Sequence, residues 1–263
     1  MFKFFKNSNK KAIESYYTVH NLSKAQKLCT GKGVKIGIID WLFGNEKDQL
    51  YSGFYDPTEM GFLDNKEHGY AMASTLKEIA RDCQIYAING ITKGCLDDDM
   101  LRVKFLQKAV NYAIENNIQI LTYSHKPIVD EDAIKELQKI LDFAEKNDVL
   151  TIFLHCNLKN NIMPVAIGSK IENEIAEIFY IYQYNYNSLN PIAYKKWLDS
   201  KKTDQTCFLS WSSMTPVLAG FVALLLEQKP ELTKKEIIQL LNKTSKNKIP
   251  NILEAVNLLK TNY

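Results

Sequence analysis

Val34-Lys-Ile-Gly-Ile-Ile-Asp40 is the stretch whose reading decides the fold. It is short, apolar and rich in β-branched residues, and the turn signal Gly31-Lys-Gly33 precedes it. A continuous apolar run of this kind suits a strand buried on both faces of a parallel sheet. It closes on an acid, Asp40, where an apolar residue would extend the strand.

Outward from it, strands alternate with helices. Residues 68–80 read as a helix with Ala71, Leu76 and Ile79 among its apolar positions, and 84–88 as a second strand. Over 99–116, Leu106, Ala109, Val110 and Ala113 recur at i, i+3, i+4 and i+7, which is one helix face. Residues 118–123 form the next strand, Ile134, Leu137, Leu141 and Ala144 mark another amphipathic helix, and 149–154 is again a strand. Strand character continues at 162–168 and 179–186, while 187–210 reads as irregular. Helices at about 212–228, 233–244 and 251–260 close the chain, with Pro230 as a stop and Thr233 with Glu236 as a capping box. Such alternation predicts an α/β fold: one domain with a doubly wound, mostly parallel sheet flanked by helices. The domain is expected over 17–263, behind a loose Lys- and Asn-rich leader at 1–16.

Composition narrows the function class. The chain has 263 residues, 46% of them hydrophobic and 24% charged, which suits a soluble globular protein rather than a disordered one. Its net charge is only +3, with basic residues interleaved among acids, so no nucleic-acid groove is expected. The longest apolar run, 217–226, is half the length of a membrane span and reads as a buried core helix. The N-terminus turns polar at once, unlike a signal peptide, which points to the cytoplasm. Five cysteines with no CxxC pair argue against a disulfide framework or a zinc ribbon.

In an open parallel sheet, ligands bind beyond the carboxyl ends of the strands. Asp40 and Asn157 follow strands there, while His68 and Ser212 begin helices. An acid, an imidazole, a hydroxyl and an amide together are the equipment for acyl transfer. Any α/β domain carries polar residues at its strand ends, so position alone leaves this open.

Local motifs sharpen it. The segment 31–40 resembles the subtilase stretch that delivers the catalytic Asp; His68-Gly-Tyr-Ala-Met-Ala-Ser74 resembles HGTHVAG; and Ser212-Ser-Met-Thr-Pro-Val-Leu-Ala-Gly220 resembles SMATPHVAG. They occur in the order Asp, His, Ser. Leu154-His-Cys-Asn157 stands where that family has AAGN, residues 120–124 resemble its cleft strand, and 231–244 resembles its PxLTxxEIxxxL stretch. The resemblance covers about residues 15–245 and implies a subtilisin-like serine peptidase. Asp40, His68 and Ser212 would form its triad and Asn157 its oxyanion donor. Aligning on Thr215-Pro216 and Ala219-Gly220 without a gap selects Ser212, whereas Ser213 would require a deletion in a helix turn. The chemistry needs no cofactor and no metal; the partner is a peptide or protein substrate, with no nucleic acid and no membrane.

The chain also departs from that pattern. Trp41-Leu-Phe43 follows the Asp, Ala71 replaces the second His of HGTHVAG, and Ser210-Trp211 replaces Gly-Thr before the nucleophile. Cys156 replaces the Gly before the oxyanion Asn, and Ser124-His125-Lys126 replaces Ser-Leu-Gly in the cleft strand. Side chains at Lys126, Cys156 and Ser210 narrow or polarise the cleft, so small or acidic P1 residues are expected, as in processing of one precursor peptide. The same lost glycines leave a second reading: a pseudo-subtilase that binds peptides or a partner without cutting. A third reading, an unrelated doubly wound binding domain, predicts a phosphate-cradling loop, and Gly31-Lys-Gly33 is misplaced for that because it precedes its strand instead of following it.

The remaining polar residues read simply. His20 and His125 are expected on the surface or in loops, and His155 in a structural role. Asp97-Asp-Asp99 has the clustered carboxylates that Ca²⁺ takes, making a structural calcium ion conceivable. The simpler expectation is that these acids lead into the helix starting near Met100, since acids favour a helix N-terminus.

Overall fold

The structure is a computed structural model that describes residues 20–62, 64–95, 97–125, 128–154, 162–167, 177–182, 212, 214–246 and 249–261. Its centre is a sheet in the order β2-β3-β1-β4-β5-β6-β7. The strands are β1 (Lys35–Asp40), β2 (Gly53–Tyr55), β3 (Gln84–Asn89), β4 (Ile120–Tyr123), β5 (Leu150–Leu154), β6 (Ile162–Ile167) and β7 (Glu177–Tyr182). The first five are parallel, and β6 and β7 join antiparallel.

The opening stretch behaves as its composition dictates. In β1 every residue after Lys35 is buried, and the strand pairs with β3 on one side and β4 on the other. Helices cover both faces. One layer holds α1 (Leu22–Ala25), α2 (His68–Ile79), α5 (Met214–Gln228), α6 (Lys234–Lys243) and α7 (Ile252–Thr261). The other holds α3 (Asp99–Glu115) and α4 (Glu131–Lys146). Ile36 and Ile38 belong to the first core and Ile39 to the second.

Three helices carry side-chain caps at their starts. Asp98 accepts from Leu101 N–H at the start of α3, so the acidic run does lead into a helix. Asp130 caps α4, and Thr233 with Glu236 forms the expected capping box on α6. Helix α5 is buried continuously from Met214 to Leu226, as an all-apolar helix must be. No helix among the described residues is long and apolar enough to cross a membrane.

The loop before β1 is tied to the end of α5. The N–H groups of Thr30 and Gly31 donate to Glu227 Oε2 at 2.5 Å each, and Lys32 N–H at 3.1 Å. A backbone concavity of the kind that cradles anions therefore holds the chain's own carboxylate.

Three features differ from the sequence reading. The short, half-buried β2 extends the sheet edge, and β6 and β7 run antiparallel where apolar content alone gave no direction. His20 is not a surface residue: it is fully buried, its Nδ1 lies 2.7 Å from Pro250 O, and its ring packs on Phe221. The leader at 1–16 and the segment 187–210 lie outside the described residues.

Candidate active site

The site forms where the sheet changes winding direction. From β1 the chain passes to β3 on one side and returns to β4 on the other, which opens a crevice at the carboxyl ends of these strands. Asp40 ends β1 there, fully buried. Its own neighbour, Trp41 N–H, donates to Oδ1 at 2.8 Å.

His68 is delivered by the first turn of α2. Leu42 takes a left-handed conformation (φ 56°), which folds the chain after Asp40 back towards this helix. Glu67 N–H then donates to Leu42 O at 3.0 Å and Gly69 N–H to Trp41 O at 2.8 Å. Only glycine fits at position 69, because a Cβ would lie 2.5 Å from Trp41 O. The close approach sets His68 Nδ1 at 2.8 Å from both Asp40 oxygens. A carboxylate can only accept, so Nδ1 carries the proton and Nε2 is the ring's acceptor. The His68 side chain keeps 31% of its surface exposed while Asp40 has none, so the imidazole faces outward from a buried anchor.

A second imidazole shares that anchor. Pairing of Ile39 with Tyr123 brings the residues after β1 and β4 side by side. His125 Nε2 lies 3.3 Å from Asp40 Oδ1, with its side chain only 10% exposed. The two atoms are close without forming an aligned hydrogen bond. Its ring packs on His68 with centroids 5.2 Å apart and on Tyr123 at 5.5 Å. His125 lies in the loop after β4, one of its two expected settings, but not on the surface: the β1–β4 register draws it inward. Burial alone would raise the Asp40 pKa, but the two imidazoles outweigh it and hold the carboxyl well below the ordinary carboxylate range.

A buried ion pair supports this arrangement from below. Arg102, fully buried on the apolar face of α3, pairs with Asp99 and donates to Tyr123 Oη at 3.2 Å. Asp99 also accepts from Val129 and Asp130 N–H, at 2.7 and 2.9 Å. An arginine on an otherwise apolar helix face was the available signal for this network in the sequence.

The other expected site residues fall as follows. Ser124 is buried just past β4. Ser212 is half-buried two residues before α5, close to the positive end of that helix's dipole. Asn157, Cys156, Lys126, Ser210, His155 and Ser213 lie outside the described residues. The structure thus brings Asp40, His68 and His125 into contact.

No protein-family profile and no curated protein sequence matches the chain. Solved structures do. A lanthipeptide protease is similar with a TM-score of 0.61 and 12% identity, over 96% of both chains. The MycP3 protease of the type VII (ESX-3) secretion system is similar with a TM-score of 0.57 and 12% identity, covering 91% of this chain and 87% of its own. The serine protease MycP1 of the ESX-1 system gives 0.56 and 12%, with the same coverage of 91% and 87%. At such identity the likeness is one of architecture, and the chain shares the α/β fold of these protease structures.

Proposed function

We propose that the chain is a serine endopeptidase of the subtilisin-like kind, with Ser212 as nucleophile, His68 as general base and acid, Asp40 as the orienting carboxylate and Asn157 as oxyanion donor. The observation behind this reading is the Asp40–His68 contact: a buried, ionised carboxylate 2.8 Å from Nδ1 of an outward-facing imidazole. That pairing leaves Nε2 to take a proton. Ser212 Oγ attacks the peptide carbonyl as its proton passes to Nε2. The tetrahedral oxyanion is held by Asn157 and by the α5 N-terminus. Nε2 then protonates the leaving amine, the C–N bond breaks, and water releases the acyl group by the same steps in reverse order. The protease character of the structural neighbours supports the class of reaction.

The substrate we assign is a peptide with a small or acidic P1 residue, in keeping with the lost cleft glycines and Lys126. Maturation of one precursor peptide in the cytoplasm fits that restriction. A fluorophosphonate probe tests the nucleophile: it should label the wild type and Ser213→Ala, and leave Ser212→Ala unlabelled. Equal labelling of Ser212→Ala sinks the assignment. One observation favours a non-cutting peptide-binding module instead, namely that His125 competes with His68 for Asp40. A folded wild type that takes no probe would support that module.

A further inference from the structure

His125 is the feature that the proposed chemistry does not use. It places a second imidazole nitrogen against a carboxylate that already serves His68. One donor atom from each of Asp40, His68 and His125 lies within 4.8 Å of the other two. Individual separations are 2.8 Å from His68 Nδ1 to Asp40 Oδ1 and 3.3 Å from His125 Nε2 to the same oxygen. Ligand atoms on a tetrahedral zinc ion, bound at about 2.0–2.2 Å, sit roughly 3.3 Å apart. The two separations to Asp40 are already at or below that spacing, and the two imidazole nitrogens, within 4.8 Å of each other, are drawn together by a shared ion.

A second observation points the same way. His125 Nε2 is a buried nitrogen without a hydrogen-bond partner among the described residues, and its side chain is nine-tenths buried and aimed at Asp40. An unsatisfied buried polar atom carries a free-energy cost that a ligand there removes.

We propose that Asp40, His68 and His125 form a binding site for a divalent transition metal of the zinc class, and that occupation of this site switches the peptidase off. Two imidazoles and one carboxylate suit zinc, cobalt, nickel or copper and not calcium or magnesium, which prefer all-oxygen shells. Three protein ligands leave a fourth position for solvent. The exposed face of His68 gives the ion its way in.

The off-switch follows from the tautomer. To ligate through Nδ1, His68 must present a lone pair there, so its single ring proton moves to Nε2. Nε2 is then a donor and cannot take a proton from Ser212. His125 ligates through Nε2 and keeps its proton on Nδ1. No proton is gained or lost by either ring, and the Asp40 negative charge meets the cation. Metal binding itself is independent of the peptidase reading; the inhibitory consequence rests on it.

The full-length, tag-free protein tests both parts. After treatment with a chelator, Co²⁺ titration should give one equivalent of uptake with the visible bands of tetrahedral cobalt, displaced by Zn²⁺. His125→Asn should weaken uptake by about tenfold or more, while Ser212→Ala should leave it unchanged. With the serine probe, Zn²⁺ should block labelling of the wild type, a chelator should restore it, and His125→Asn should lose that zinc sensitivity. No cobalt uptake by the folded wild type overturns the site, as does uptake that His125→Asn leaves intact. Labelling that requires zinc overturns the inhibitory role. Cobalt uptake with no labelling under any condition upholds the site and removes the peptidase reading instead.

Discussion

Position 69 has room for hydrogen and nothing larger, because Trp41 O fills the space a methyl would need. Two effects oppose each other in Gly69→Ala. Alanine improves helix propensity by about 1 kcal/mol, while the clash pushes the first turn of α2 away from the segment after Asp40. The second effect bears directly on the His68–Asp40 distance, and a shift of about 1 Å in a positioned group can cost about a hundredfold in rate. Gly69→Ala should therefore slow probe labelling by about ten- to a hundredfold, with only a modest drop in thermal midpoint. Kinetics and melting measured on one preparation check this; equal labelling rates would place His68 outside the chemistry. Asp40 and His68 were legible in the sequence through the motifs around them, residues 31–40 and 68–74, because strand-end and helix-start positions alone left them open. His125 was not. Its position against Asp40 depends on which strand pairs with β1 and in what register, and neither is encoded within a few residues of position 125.

Among the elements, α2 and α5 pack closely at Gly220, where an added Cβ would lie 2.5 Å from Ile79 Cγ2. These two helices carry His68 and follow Ser212. Gly220→Val should force them apart and lower the unfolding free energy by about 2–3 kcal/mol, the range of overpacked cores, read as a reduced urea midpoint with an unchanged slope. A variant as stable as the wild type would show that Ile79 repacks freely. Helices α2 to α4 were readable because each shows a 3.6-residue apolar period. The antiparallel turn from β6 to β7 was not, because a buried apolar run looks alike in either direction. Three-residue β2, half-exposed and begun by Gly53, is too short to show any period. Arg102 explains a further gap: it lies on the apolar face of α3, and only the folded chain brings Asp99 and Tyr123 to it.

Over the whole molecule, both ends of the described chain are clasped together. His20 reaches Pro250 O, Ile252 N–H donates to His20 O at 3.1 Å, and Asn21 bonds Asn251 at 3.3 Å. Burial lowers the His20 pKa from 6.5 to about 4, against the raising effect of the Pro250 carbonyl. The unfolded chain therefore binds a proton below pH 6.5 that the folded chain refuses until about pH 4. This term is absent above the unfolded value and removes stability as pH falls, at about 1.4 kcal/mol per pH unit within the window. Moving from pH 7 to pH 5 should cost about 2 kcal/mol more in wild type than in His20→Asn, measured by urea unfolding. Parallel pH profiles for the two proteins would mean that the imidazole is not buried in solution.

The grip of the Thr30–Lys32 amides on Glu227 has a consequence for how the chain can change length. An acid near a helix C-terminus faces the wrong end of the dipole, and three N–H donors compensate for it here. Helix α5, with 15 residues, is thus a rod about 22 Å long, pinned at one end to the loop that launches β1. Its other end sets where the chain before Met214 emerges. A residue gained or lost along this rod would rotate one end against the other by about 100°, whereas the same change in an exposed loop would be absorbed locally. Related chains are free to differ in loop length, but the span between positions 214 and 227 works as a ruler that permits no insertion.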